Sequence, residues 1–191
     1  MDRTGLTELL QRACRREPAA LTELIERYSP RVLGLLFRLT RSRDAAEDLL
    51  QETFLRVVRT IENYEHIGRF EPWLFRIAAN LARDRARRLV RRGETTSVDA
   101  GWADELTQTT GPDAGQATNP LERIEQGEAR ERLQGALGKL SEPEQEIVLL
   151  RHYSELSFRE IAEVLGVPLG TALARAHWAL IHLRTHLADA E

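Results

Sequence analysis

The sequence predicts an all-α protein: two small helical domains, a helical bundle and a helix-turn-helix, joined by a flexible acidic linker. Three observations carry the prediction. Apolar residues recur at helical spacing through residues 1–92 and again through 121–191. Between them, residues 93–120 turn to Thr, Ser, Gly, Asp, Ala and Gln, with Pro112 as an interruption and few apolar side chains. Near the C-terminal end, two helical patterns flank Gly166-Val167-Pro168, a sharp-turn sequence.

The elements follow in order. Residues 4–17 form a first helix through Leu6, Leu9, Leu10 and Ala13. Pro18 suits the first turn of the next, with Leu21, Leu24, Ile25 and Tyr28 on its apolar side. Pro30 either kinks that helix or restarts it, and Val32, Leu33, Leu35, Leu36 and Leu39 continue the face. Asp44 is the expected N-cap of a helix to about Glu62 that buries Leu49, Leu50, Phe54, Val57, Val58 and Ile61. Asn63 to Glu71 reads as a loop with Gly68, and Pro72 opens a helix on Trp73, Leu74, Ile77, Ala78 and Leu81. Short connections fold these helices into a bundle. After the linker, helical spacing returns at Pro120-Leu121 and runs to about Leu140. Ser141 to Glu144 and Ser157 to Glu160 are capping boxes. The last helix runs from near Leu169 to about Leu187, with Ala172, Ala176, Ala179, Leu180, Leu183 and Leu187 buried.

Charge divides along the same lines. The net charge of -3 over 191 residues hides an N-terminal part, 1–92, with 19 Arg and Lys against 13 Asp and Glu. Residues 93–120 hold no basic residue and five acidic ones, and residues 121–191 hold 8 basic against 12 acidic. Hydrophobic residues at 42% and charged residues at 30% fit a soluble, folded chain. No apolar run approaches the roughly 20 residues a membrane span needs. Met1-Asp2-Arg3-Thr4-Gly5-Leu6 lacks a basic start before an apolar core, so no secretory signal is expected. Cys14 is the one cysteine, which excludes internal disulfides and cysteine-rich zinc sites. A cytoplasmic protein is the inference.

Five features bear on function. Arg83, Arg85, Arg87, Arg88, Arg91 and Arg92 crowd one helix with Asp84 alone to offset them, which suits phosphate contact or a solvated basic face. Asp48, Gln51 and Glu52 cluster on a helix whose other side is apolar, as a solvated surface or a protein-docking face; spacing does not choose. On the last helix, Thr171, Ala174, Arg175, Trp178 and His182 share the face that a recognition helix offers to the major groove. His182 and His186 stand at i, i+4 without a third ligand and read as surface or packing residues. Trp102, alone in the acidic tract, marks a docking point or a local cluster with Leu106. Nothing assembles a catalytic constellation, a metal site or a cofactor site.

Three motifs then match a known family. Asp44-Ala-Ala-Glu-Asp-Leu-Leu-Gln-Glu-Thr-Phe, Trp73-Leu-Phe-Arg-Ile-Ala-Ala-Asn-Leu-Ala-Arg-Asp and Leu156-Ser-Phe-Arg-Glu-Ile-Ala-Glu-Val-Leu-Gly-Val-Pro-Leu-Gly-Thr together resemble bacterial RNA polymerase sigma factors of the sigma-70 family. The two-domain form with a linker is similar to the extracytoplasmic-function group, over roughly residues 18–92 and 121–187. The resemblance implies that residues 1–92 dock on polymerase core and serve the −10 element, with 93–120 as linker and 121–191 serving the −35 element. It implies that Asp48, Gln51 and Glu52 contact the clamp helices of the largest subunit. The loop Asn63 to Glu71, Asn80, and then Arg83, Arg85, Arg87 and Arg88 fall where the family captures flipped −10 bases and holds the backbone. Arg159, Thr171, Arg175 and Trp178 fall on the −35 side. The acidic linker falls where the family threads a segment near the polymerase active centre and RNA exit path. Implied partners are polymerase core and promoter DNA, with an anti-sigma factor as an optional one; no enzymatic activity is implied.

This chain departs from the family at its recognition helix. Leu173 replaces a basic residue, Ala174 a serine and Trp178 an arginine. A weaker contact, an apolar one to thymine methyls, one largely lost, and a Trp178 packed on a protein partner are all open. The rival from another class is a stand-alone helix-turn-helix regulator binding a near-palindromic site without polymerase. A second rival is a degenerate relative that binds protein alone.

Overall fold

The structure is a computed structural model that describes residues 3–65, 69–93 and 132–188. The linker beyond Gly93 with Trp102, Leu106 and Pro112, Gly68 in the first loop, and the helix start at Pro120-Leu121 lie outside the described residues. Every element among the described residues is helical, and the chain divides into two units, Met1–Asp99 and Ala100–Glu191. No single described helix is long and apolar enough to cross a membrane.

The first unit holds α1 (Arg3–Cys14), α2 (Pro18–Thr40), α3 (Arg43–Thr60), a 3-10 turn (Ile61–Asn63) and α4 (Phe70–Arg92). Leu9, Leu10 and Ala13 bury the inner face of α1 against α2. That helix ends before residue 17 because Arg16 turns to φ 60° and Pro18 must start a new one. α2 then runs unbroken through Pro30, so the proline does not restart the chain. Pro30 has no N–H for the preceding turn, and at the same place the Ser29 hydroxyl donates to the Ile25 carbonyl at 2.7 Å. Arg41 closes α2 in the left-handed region at φ 54°, its N–H reaching the Phe37 carbonyl.

Ser42, not Asp44, caps α3: its hydroxyl accepts the Ala45 N–H at 3.4 Å. Asp44 lies two residues on, in the first turn, where its charge favours the helix dipole. Leu49, Phe54, Val57 and Ile61 are buried as expected, while Leu50 and Val58 are only half-buried at the edge of the face. Ala45, Ala46 and Thr53 complete it; these short side chains bring the backbone of α3 close to its neighbours. The predicted loop is shorter than Asn63 to Glu71. Its start belongs to the 3-10 turn, and Phe70 and Glu71 are already in α4, with Pro72 in the first turn where no N–H is missed. Phe70, Leu74, Phe75, Ala78 and Leu81 are buried, whereas Trp73 and Ile77 are half-exposed. Gly93 ends α4 at φ 68°, a conformation that costs glycine nothing.

In the second unit residues 132–138 are helical, followed by α5 (Glu142–Ser154), α6 (Phe158–Leu165) and α7 (Leu169–Ala188). Both capping boxes form. Ser141 N–H and Ser157 N–H donate to Glu144 and Glu160 at 3.1 and 2.8 Å. Gly166, at φ 69°, ends α6, and the Val167 N–H returns to the Ala162 carbonyl. α6 and α7 then meet at 105°, a helix-turn-helix angle. Ala172, Ala176 and Ala179 are buried and let α7 approach α5 and α6 closely. The expected stripe is therefore narrower than six residues. Leu183 and Leu187 are half-buried, and Leu180, 60% exposed, lines an open apolar groove with Ile147, Val148 and Phe158.

Candidate functional site

Three surfaces hold the candidate residues. On α3, Asp48 and Gln51 are exposed, and Glu52 is half-buried and paired to Arg56 at 2.8 Å. They stand at i, i+3 and i+4, so one outward face presents all three. Leu55, one turn on, is 49% exposed on that face. Sequence reasoning did not single it out, although its absence from the buried stripe of Leu49, Phe54, Val57 and Ile61 was the available signal. The face thus combines two carboxylates, an amide and an apolar side chain, chemistry suited to protein rather than to phosphate.

On α4 the predicted set divides. Asn80, Arg83 and Arg87 follow each other at helical spacing along one outward stripe, half-exposed to exposed. Arg76, exposed one turn before Asn80, extends this stripe; its fourfold spacing from Asn80 was the available signal. Arg85 and Arg88 leave it. Arg85 is turned towards the packed side, with its Nε buried, and Arg88 donates to the Asp84 backbone carbonyl at 3.2 Å. Arg87 sits 3.6 Å from the Asp84 carboxylate, an exposed pair of little strength.

The base of this stripe is braced by aromatic rings. Tyr64 stacks on Trp73 at 4.8 Å, and Phe70 lies 5.2 Å from Tyr28 and 5.7 Å from Trp73. The Tyr28 hydroxyl donates to Glu71 at 2.7 Å. Burial, and then this carboxylate, push the Tyr28 phenol far up, so it stays a donor at any ordinary pH. Both ends of the loop are held: Tyr64 also accepts, through its carbonyl, from the half-buried Cys14 thiol, which burial pushes up.

On the second unit, Thr171, Arg175 and Trp178 line a single open groove together with Ala174 and His182. Its opposite wall is Ser141, Pro143 and Glu144 at the start of α5. Arg159 is exposed on α6 and does not line the groove. His182 Nδ1 lies 2.8 Å from Glu144, which gives this histidine a packing partner on α5. The Ser141 hydroxyl first, then the Ser141 N–H and His182, hold the Glu144 carboxyl below the usual carboxylate range. Among the described residues no group of three His, Cys, Asp or Glu could hold a metal ion.

Comparison with known proteins covers both helical units. Residues 24–92 match Sigma-70 region 2, and residues 130–183 match Sigma-70, region 4. The RNA polymerase sigma factor CarQ of Myxococcus xanthus is 38% identical over 90% of this chain and 91% of its own length. The ECF RNA polymerase sigma factor SigE of Mycolicibacterium smegmatis is 36% identical over 87% of this chain, which spans 61% of that longer protein. In fold, the chain is similar to the sigma factor RpoE of Bartonella quintana, solved in complex with the anti-sigma factor NepR. The TM-score is 0.68 at 21% identity, covering 87% of this chain and 96% of that one. The chain belongs to the sigma-70 family of bacterial RNA polymerase sigma factors, in its extracytoplasmic-function group.

Proposed function

We propose that this sigma factor brings RNA polymerase core to promoters by docking through the outward face of α3, with Asp48, Gln51 and Glu52 as polar contacts and Leu55 as the apolar contact one turn on. The observation that carries the reading is that face itself: a row of unlike side chains on the outward side of a helix whose other side buries Ala45, Ala46, Leu49, Thr53, Phe54 and Val57. The α4 stripe of Asn80, Arg83 and Arg87, extended by Arg76, serves the −10 side, with Arg85 and Arg88 in supporting positions. Thr171, Arg175 and Trp178 serve the −35 side from the groove on α7, and Arg159 meets the backbone from α6. Residues 1–92 and 121–191 are then the two working domains, joined by the acidic segment 93–120. The chain acts in the cytoplasm by binding, without chemistry of its own.

An anti-sigma factor is the regulatory partner this reading admits. The stand-alone regulator is not favoured, since the chain resembles a curated sigma factor over 90% of its length. Run-off transcription on a genomic fragment library tests the proposal. Core polymerase plus this chain is expected to initiate at discrete start sites that core alone does not use. Discrete DNA binding by the chain alone, with no new start sites, would return the stand-alone regulator.

A further inference from the structure

The groove on α7 holds about 490 Å³, and its most prominent side chain is Trp178, 54% exposed. An indole this open contributes little to packing, yet it is held in place. His177 meets the ring edge-on at 5.7 Å, and His182 lies 6.1 Å away at a tilt of 31°. His182 is bonded to Glu144, which also takes the Ser141 N–H and hydroxyl at 3.1 and 2.6 Å. A continuous set of contacts therefore runs from the cap of α5 to the tryptophan. The ring thus stands between two neighbouring imidazoles, and any ordering they impose lowers the entropy lost on binding.

The rest of the groove defines what it accepts. Arg175 offers the planar fork that matches N7 and O6 of guanine. Ala174 and Trp178 offer apolar surface, and the apolar group that a duplex presents in its major groove is the thymine C5-methyl. Glu144 would repel phosphate, but its side chain is 13% exposed and is engaged by Ser141 and His182. Arg175 and Trp178 are three residues apart, a rise of about 4.5 Å along the helix. One base step is about 3.4 Å.

We propose that Trp178, with Ala174, is a specificity-determining reader of a thymine methyl one or two base steps from a guanine held by Arg175. This rests on the −35 assignment made above and adds the base class that the groove selects. Promoter DNA is first recovered by the assembled polymerase from a library randomised upstream, then synthesised with uracil in place of each thymine in turn. Removing the methyl at the step beside the guanine is expected to lower occupancy about fourfold. Trp178→Phe keeps that difference between thymine and uracil, and Trp178→Ala abolishes it.

Indifference to uracil at every position, with the upstream element still protected, overturns the reader and leaves the −35 assignment standing. An unprotected upstream element overturns both. A uracil effect that persists in Trp178→Ala assigns the methyl to another side chain and overturns the proposal. So does a Trp178→Ala variant whose defect is capture of core polymerase, which would put the ring on a protein partner.

Discussion

Glu144 caps α5 through Ser141 and meets His182 on α7, so one carboxylate ties a helix start to the wall of the groove. Its carboxyl is held below the ordinary range, chiefly by the Ser141 hydroxyl. A depressed folded value means stability that is present at neutral pH and lost as the pH falls through that folded value. Glu144→Ala should therefore cost about 1 kcal/mol at pH 7, as for loss of a cap. In urea unfolding followed by circular dichroism, the gap between wild type and variant should narrow as the pH falls below the ordinary carboxylate range. A gap independent of pH would mean that the carboxylate charge plays no part. The Ser141 box was legible because its spacing is local. The Glu144–His182 contact, 38 residues apart, was not. Ser42 was passed over for Asp44 because both are good caps two residues apart, and only the backbone chooses between them.

At the scale of elements, the arginine run of α4 is a density in the sequence but a division in space. Four arginines in six residues cannot share one helix face at 3.6 residues per turn. Arg83 and Arg87 keep the Asn80 side, and Arg85 turns towards the packed side. Arg83→Ala should weaken promoter binding in the assembled complex about uniformly across sequences and reduce the salt slope by about 1. Arg85→Ala should leave that slope unchanged. Equal slopes for the two variants, measured by filter binding between 50 and 200 mM salt as a rough range, would contradict the division. The α7 stripe carries a similar lesson. The alanines were read correctly as the contact, but their small size narrows the buried face and leaves Leu180 outside it.

For the whole molecule, the charge distribution decides how the parts must work. Residues 121–191 carry an excess of acidic groups and make a poor free DNA binder. Under the proposed docking, the same groove would act at high local concentration, where modest contacts suffice. The all-helical class and the helix order were legible because strong periodicity and caps repeat through the chain. Which side of each helix faces solvent was less so, because it depends on neighbours far apart in sequence. Docking by α3 is thus the claim on which the rest depends. The most direct test is the affinity of the chain for purified bacterial core RNA polymerase, wild type against Gln51→Ala with Glu52→Ala. The account predicts capture by the wild type and a loss of at least about tenfold, or about 1.4 kcal/mol, in a variant that remains folded. Equal capture of both would contradict it.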